Sequence, residues 1–128
     1  MDVEHLLNWR AGWMLILSAF ITGAVIGLFF HREEFWSGYA SFRRRIVRLG
    51  HIALAALGMM NVVFSYSPWP AESTWEGRAA SIAFVVGGIS MPAVCFLSGW
   101  DKRCRHLFFI PVTALILAAV WTLSGAPR

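Results

Sequence analysis

The chain has 128 residues, of which 58% are hydrophobic and 14% are charged, and its formal net charge is +4. A soluble domain is usually about 45–50% apolar, so this composition excludes a single water-soluble core for the whole chain. The positive charge is concentrated in two short connections, which favours membrane lipid with anionic headgroups as the partner and gives no basis for binding nucleic acid.

Four long stretches of the sequence contain no Asp, Glu, Lys or Arg. They cover residues 12–30, 49–71, 79–100 and 106–127. Because a helix rises about 1.5 Å per residue, roughly 20 apolar residues cross the hydrocarbon core of a bilayer. The sequence therefore predicts an all-α integral membrane protein, with a single membrane domain over residues 1–128. Its spans are expected at about 11–30, 48–66, 79–100 and 106–124.

The first predicted span is expected to be retained, because the residues before it are acidic where the start of a signal peptide is basic. Small residues recur along one line of this helix, and Gly23 and Gly27 form a Gly-x-x-x-Gly pair within that line. Helices in lipid associate through small residues that allow close backbone contact. We therefore expect this line to face a neighbouring helix.

The connection after the first span has the pattern of an amphipathic helix over residues 35–47. Its apolar residues recur at steps of three and four, which places them on one face of the helix. Arginines occupy much of the opposite face: they are Arg43, Arg44, Arg45 and Arg48. This pattern predicts an interfacial helix that lies in the inner headgroup layer. The arginines serve either as a topology anchor or, in addition, as donors to an anionic lipid headgroup or cofactor carboxylate.

The second and third spans also carry lines of small residues. Gly58 and Asn61 belong to a stripe at helical spacing in the second span, and Gly88 lies on a similar line in the third. Asn61 is placed near the bilayer midplane, where we expect it to hydrogen-bond across helices. These faces predict an antiparallel four-helix transmembrane bundle. Whether it closes within one chain, by self-association or with another subunit is left open.

The basic residues are unevenly shared between the two sides of the predicted membrane. Eight of the eleven lie in the connections after the first and third spans, and the other three are Arg10, Arg78 and Arg128. Cytoplasmic loops carry an excess of Lys and Arg, so we expect both basic connections in the cytoplasm. Both chain ends would then lie outside, in the periplasm if the host is Gram-negative. The outer connection, residues 67–77, has the prolines and polar residues of a turn.

Three histidines are predicted at the same membrane depth, on the side of the basic connections. His31 ends the first span, while His51 and His106 begin the second and fourth. Neutral imidazole is a good ligand for haem iron and other metals, so His51 and His106 are candidate ligands of a b-type haem or a metal ion. His31 is a candidate substitute or supporting residue. Candidate partners of the haem propionates are Arg45, Arg48, Arg103 and Arg105.

The sequence contains no nucleophile–base pair, phosphate-binding loop or carboxylate pair, so it assigns no catalytic residue and we expect no catalytic activity of its own. Short connections and small-residue faces favour an accessory or structural subunit that packs against a larger membrane complex. A haem-binding electron carrier is the alternative function. A small transporter or channel is the third, although no span contains a carboxylate that would couple transport to protons.

Overall fold

The computed structural model describes residues 3–67 and 74–125, and over those ranges it contains helices and no strand. The α-helices are α1 (Val3–Phe30), α2 (Phe42–Ser65), α3 (Trp75–Trp100) and α4 (Phe109–Ser124). Two short 3-10 segments, Phe35–Ser37 and Lys102–Phe108, precede α2 and α4. The described chain thus has four helices that are long and apolar enough to cross a membrane, where the second 3-10 segment is counted with α4.

The inner connection differs from the single interfacial helix that the spacing predicts over 35–47. A 3-10 turn ends at Ser37, Gly38 adopts a φ of 93°, and an uninterrupted α2 begins at Phe42. The side chain of Ser41 caps this helix by accepting a hydrogen bond from the Arg44 backbone amide at 3.3 Å. Apolar spacing alone did not reveal this break, because the turn residues lie between two segments that continue the same pattern.

The predicted outer turn lies partly outside the described residues, because 68–73 are among those not described. The helix that follows it, α3, begins with Thr74 as its cap, whose hydroxyl accepts a hydrogen bond from the Gly77 amide at 3.2 Å. A threonine cap satisfies one of the amide groups that the first turn of a helix leaves without an internal partner. This cap therefore fixes where α3 starts.

The helices pack in chain order around α3. Extensive contacts join α1 to α2, α2 to α3 and α3 to α4, and α1 also reaches α3. Within the described chain, α4 shares its extensive interfaces only with α3 and the 3-10 segment that precedes it. As a result α3 buries the largest share of its residues, whereas α1 and α4 remain mostly exposed.

Close contacts between successive helices involve glycines and aromatic rings. Gly12 of α1 lies against Gly58 of α2 so closely that a Cβ added to either would be 2.7–2.9 Å from the carbonyl oxygen of the other. Only two glycines allow the two backbones to approach this far. Near the start of α3 and the end of α4, the rings of Trp75 and Trp121 meet edge to face, with their centres 6.2 Å apart.

Two groups of apolar side chains fill the space between the helices. The first joins α1 to α2 and consists of Leu15, Ala19 and Leu54. The second joins α2, α3 and α4, and its buried members are Phe64, Ala80, Ala83, Phe84 and Ala118. Alanines dominate where α3 meets its neighbours, which lets these helices pack closely in an environment where lipid offers no hydrophobic drive for association.

Candidate functional site

The most polar part of the interior is a cluster of three side chains from three helices, which we call the amide cluster: Asn8 of α1, Asn61 of α2 and Ser81 of α3. Each is almost completely buried. The Asn8 amide donates to the Asn61 side-chain oxygen at 2.9 Å and to the Ser81 carbonyl at 3.2 Å, and the Ser81 hydroxyl donates back to Asn8. The cluster therefore ties α1, α2 and α3 together at one depth.

Asn61 completes this network with two further hydrogen bonds. Its amide donates to the Leu57 carbonyl at 2.9 Å and to the Phe84 carbonyl at 3.2 Å, so the bond to α3 is made through the backbone. Gly88 leaves room for the Asn61 side chain, because a Cβ there would be 2.9 Å from the amide nitrogen. An interhelical hydrogen bond in a membrane contributes about 0.6–2 kcal/mol to stability, so the cluster stabilises the contacts of α2 with α1 and α3.

Sequence reasoning did not single out Asn8 or Ser81 as partners of Asn61. Asn8 lies before the first charge-free stretch and two residues from Arg10, so it looks like a flanking residue outside the membrane. The only available signal was its helical spacing, because Asn8, Gly12, Leu15 and Ala19 are the buried residues of one face of α1.

A second polar centre is the buried guanidinium of Arg44 near the start of α2. It donates hydrogen bonds to the backbone carbonyls of Phe30, Arg32 and Phe35, with distances of 3.4 Å to Phe30 and 2.6 Å to Phe35. The ring of Phe30 lies 5.1 Å from the guanidinium carbon. The last carbonyls of a helix have no partner within it, so Arg44 satisfies the end of α1 and fixes the turn that follows.

Arg43, the neighbour of Arg44, makes the corresponding contact with the end of α3. Its Nε donates to the Gly99 carbonyl at 2.8 Å, and its guanidinium carbon lies 5.6 Å from the centre of the Trp36 ring. The two adjacent arginines thus bond the ends of two different helices, α1 and α3. A cation at a helix C-terminus is favourable because it complements the partial negative charge of the helix end.

Arg43 also lies at the side of a cleft between α1, α2 and α3, which we call the inner cleft. Its volume is about 470 Å³, and its lining includes Thr22, Val25, Trp36, Arg43, Phe96 and Trp100. Most of these side chains are apolar, and the two indoles come from the 3-10 turn after α1 and from the last residue of α3. The size is within the range of pockets that hold small ligands, roughly 300–1,000 Å³.

Trp36 enters this cleft from a strained backbone. Its φ of 51° and ψ of 47° lie in the left-handed region, and the next residue, Ser37, has a φ of 64°. This conformation costs an ordinary residue about 1–2 kcal/mol. Stacking on Phe35, with ring centres 4.7 Å apart, and the cation of Arg43 hold the indole in place and offset that cost.

The structure does not bring the histidine candidates together. His51 is half-buried on α2, its Nδ1 lies 3.1 Å from the Thr22 hydroxyl, and its ring fills the space beside Gly23. His31 and His106 are exposed, and neither α4 nor the 3-10 segment that carries His106 shares an extensive interface with α2. Among the described residues, no group of three or more His, Cys, Asp or Glu is arranged to hold a metal ion.

The remaining predicted residues have varied surroundings. Arg45, Arg103 and Arg105 are exposed, whereas the Arg48 guanidinium stacks 4.0 Å from the centre of the Tyr39 ring and donates to the Tyr39 carbonyl. Among the described residues, and apart from its chain neighbours and the nearby backbone of its own helix, Gly27 has no atom within 4 Å of the place where a Cβ would be, so it faces away from the neighbouring helices. The arginines that bond helix ends are therefore Arg43 and Arg44, which sequence reasoning did not separate from the rest.

Comparison with protein-family models, with curated proteins and with solved structures finds no match for this chain.

Proposed function

We propose that this chain is an accessory or structural subunit of a larger membrane assembly, in which it forms an antiparallel four-helix transmembrane bundle. The proposal retains the orientation expected from the arginines, with the basic connections in the cytoplasm, both chain ends outside and the basic start of α2 at the inner headgroup layer. Its partner is another membrane subunit, and anionic lipid surrounds both.

The use of the interior polar groups supports a structural role. The amide cluster joins three helices, Arg43 and Arg44 bond the ends of α3 and α1, and His51 contacts Thr22. Ionisable and polar groups inside a membrane are costly and usually serve a function, and here the observed role of each is to fasten one helix to another.

The observation that carries the proposal is the one-sided packing of α4. Its buried stripe, which includes Pro111 and Ala118, faces α3, while Thr113 and Ala119 lie on the exposed side. The Thr113 hydroxyl makes no hydrogen bond with any residue that the structure describes, whereas Thr122 on the same helix donates to the Ala118 carbonyl at 2.7 Å. Thr113 and Ala119 point about 120° apart around the helix, so they are two exposed positions and not one stripe. Small and hydroxyl-bearing residues mark helix interfaces in membranes, so these positions suit contact with a partner subunit.

Affinity purification in mild detergent from membranes of the native host tests this proposal. The tagged full chain is expected to retain a larger membrane subunit, and Ala119→Phe is expected to reduce its recovery at least about tenfold by preventing close helix contact. Thr113→Val, which has the same shape without the hydroxyl, should reduce recovery less. Leu17→Phe, at a large exposed side chain of α1, is the control and should leave recovery unchanged.

Two outcomes would overturn the proposal. One is purification of the chain without any other membrane subunit under conditions in which known complexes of the host survive. The other is a Soret band in the eluate that disappears in both His51→Ala and His106→Ala, which would establish haem binding in place of the accessory role.

A further inference from the structure

The inner cleft combines an apolar interior with one cation whose hydrogen-bonding capacity is only partly used. Arg43 uses its Nε for the Gly99 carbonyl, and its two terminal nitrogens make no hydrogen bond with any described residue. A guanidinium presents five N–H donors in a planar fork that matches the oxygens of a phosphate. The free edge of Arg43 is therefore available to an anion at the side of the cleft.

The elements around Arg43 place this anion site at the expected depth of lipid headgroups. Trp100 is the last residue of α3 and Trp36 lies in the 3-10 turn after α1, and both line the cleft. Amphipathic indole rings are enriched at such boundaries of apolar helices. Lys102, whose ammonium is 5.7 Å from the centre of the Phe42 ring, adds a second cation on the same side. Each basic residue near an anionic bilayer surface contributes about 1 kcal/mol to the attraction between the protein and that surface.

The interior of the cleft suits hydrocarbon. Val25 and Phe96 are among its apolar lining residues, and Thr22, its polar exception, donates to the Ser18 and Ala19 carbonyls at 2.8 and 3.1 Å. The Thr22 hydroxyl also lies 3.1 Å from His51 Nδ1, so residues of the chain itself already use its hydrogen-bonding capacity. A ligand in this cleft would therefore combine an anionic head beside Arg43 with an apolar tail between α1 and α3.

We propose that the inner cleft is a specific site for one anionic phospholipid, with its phosphate bonded to Arg43 and one acyl chain lying in the cleft. The site is independent of the proposed α4 interface, since it is formed by α1, α2, α3 and the 3-10 turn. It also differs from a diffuse basic surface, because the exposed Arg45 two residues away does not line it.

The test is a lipid titration of the purified full chain by native mass spectrometry. Phosphatidylglycerol and phosphatidylcholine with identical acyl chains are compared. Both carry a phosphate, but the choline cation of phosphatidylcholine offsets its charge and is repelled by the arginine, so phosphatidylglycerol is expected to bind about tenfold more tightly. Arg43→Gln should remove this preference, whereas Arg45→Gln, the matched loss of one charge on the same helix, should retain it. Circular dichroism and gel filtration establish that both variants are folded.

A second pair of variants tests the acyl chain without touching Arg43. Val25→Trp places a large side chain in the cleft and should weaken binding of both lipids, while Ile21→Trp, an exposed position one turn away that does not line the cleft, should have no effect. Equal affinity for the two lipids, or equal losses in Arg43→Gln and Arg45→Gln, would overturn the proposal. Unchanged binding in Val25→Trp would also overturn it, because the headgroup would then be held at the surface alone.

Discussion

Gly58→Val is expected to lower the free energy of unfolding by about 3 kcal/mol, because no small adjustment makes room for the new side chain. A Cβ at this position would lie 2.9 Å from the Gly12 carbonyl oxygen and 3.1 Å from the Ile16 backbone nitrogen. Both atoms belong to the backbone of α1, so α1 and α2 must separate along their length. Unfolding by sodium dodecyl sulfate in mixed micelles, followed by circular dichroism, measures the loss.

Gly27→Val is the matched control for this prediction. It introduces the same side chain into a helix, but no described atom beyond its chain neighbours and the adjoining helix backbone lies within 4 Å of its Cβ position. Replacing a helical glycine favours the helix by a few tenths of a kcal/mol, so this variant should be as stable as the parent chain or slightly more stable. If the two variants were equally destabilised, the close approach of α1 and α2 would be refuted.

Arg44→Met is the second large change, with an expected loss of about 3 kcal/mol. The substitution removes charge-assisted hydrogen bonds to three carbonyls and leaves these acceptors without their donor. It also removes the free-energy cost of burying a charge, but this offsets only part of the loss. Arg44→Lys should be nearly as damaging, because a single ammonium cannot reproduce the planar fork that reaches three carbonyls.

Arg45→Met provides the comparison for Arg44→Met on the same turn of α2. Arg45 is exposed, so its replacement should change the free energy of unfolding by no more than about 0.5 kcal/mol. The same detergent titration applies, supplemented by proteolysis between α1 and α2, which should become faster only in the Arg44 variants. Equal stability of Arg44→Met and Arg45→Met would contradict the role assigned to the buried guanidinium.

The four apolar helices could be predicted because charge is missing from whole segments, a signal that needs no tertiary information. Helical spacing also drew attention to Gly58 and Asn61, both of which meet neighbouring helices in the structure. The same spacing placed Gly27 on the packing line of α1, although its Cβ position is open. Periodicity identifies which residues share a face, but not how far along the helix a neighbour covers that face.

The details of the polar sites depend on tertiary structure that local patterns do not contain. Arg43, Arg44 and Arg45 are consecutive and chemically identical, yet one bonds α3, one is buried against the end of α1 and one is exposed. Their surroundings differ because successive helical residues point about 100° apart and because α1 and α3 lie on different sides of α2. Likewise, the predicted common depth of His51 and His106 suggested a shared site, whereas in the described structure α4 packs on α3 and shares no extensive interface with α2.

A single engineered disulfide would show whether these helices pack in the described register within a membrane. A Cβ added at Gly50 of α2 would lie 3.0 Å from the Cβ of Cys95 on α3, slightly closer than the 3.5–4.5 Å typical of a disulfide. Gly50→Cys, in a chain with Cys104→Ser, is oxidised in isolated membranes and then alkylated. We predict a monomeric product whose two thiols are protected until a reductant is added, whereas Gly27→Cys in the same background remains open to alkylation. Full alkylation of Gly50→Cys, or linkage only between separate chains, would show that Gly50 of α2 does not lie beside Cys95 of α3.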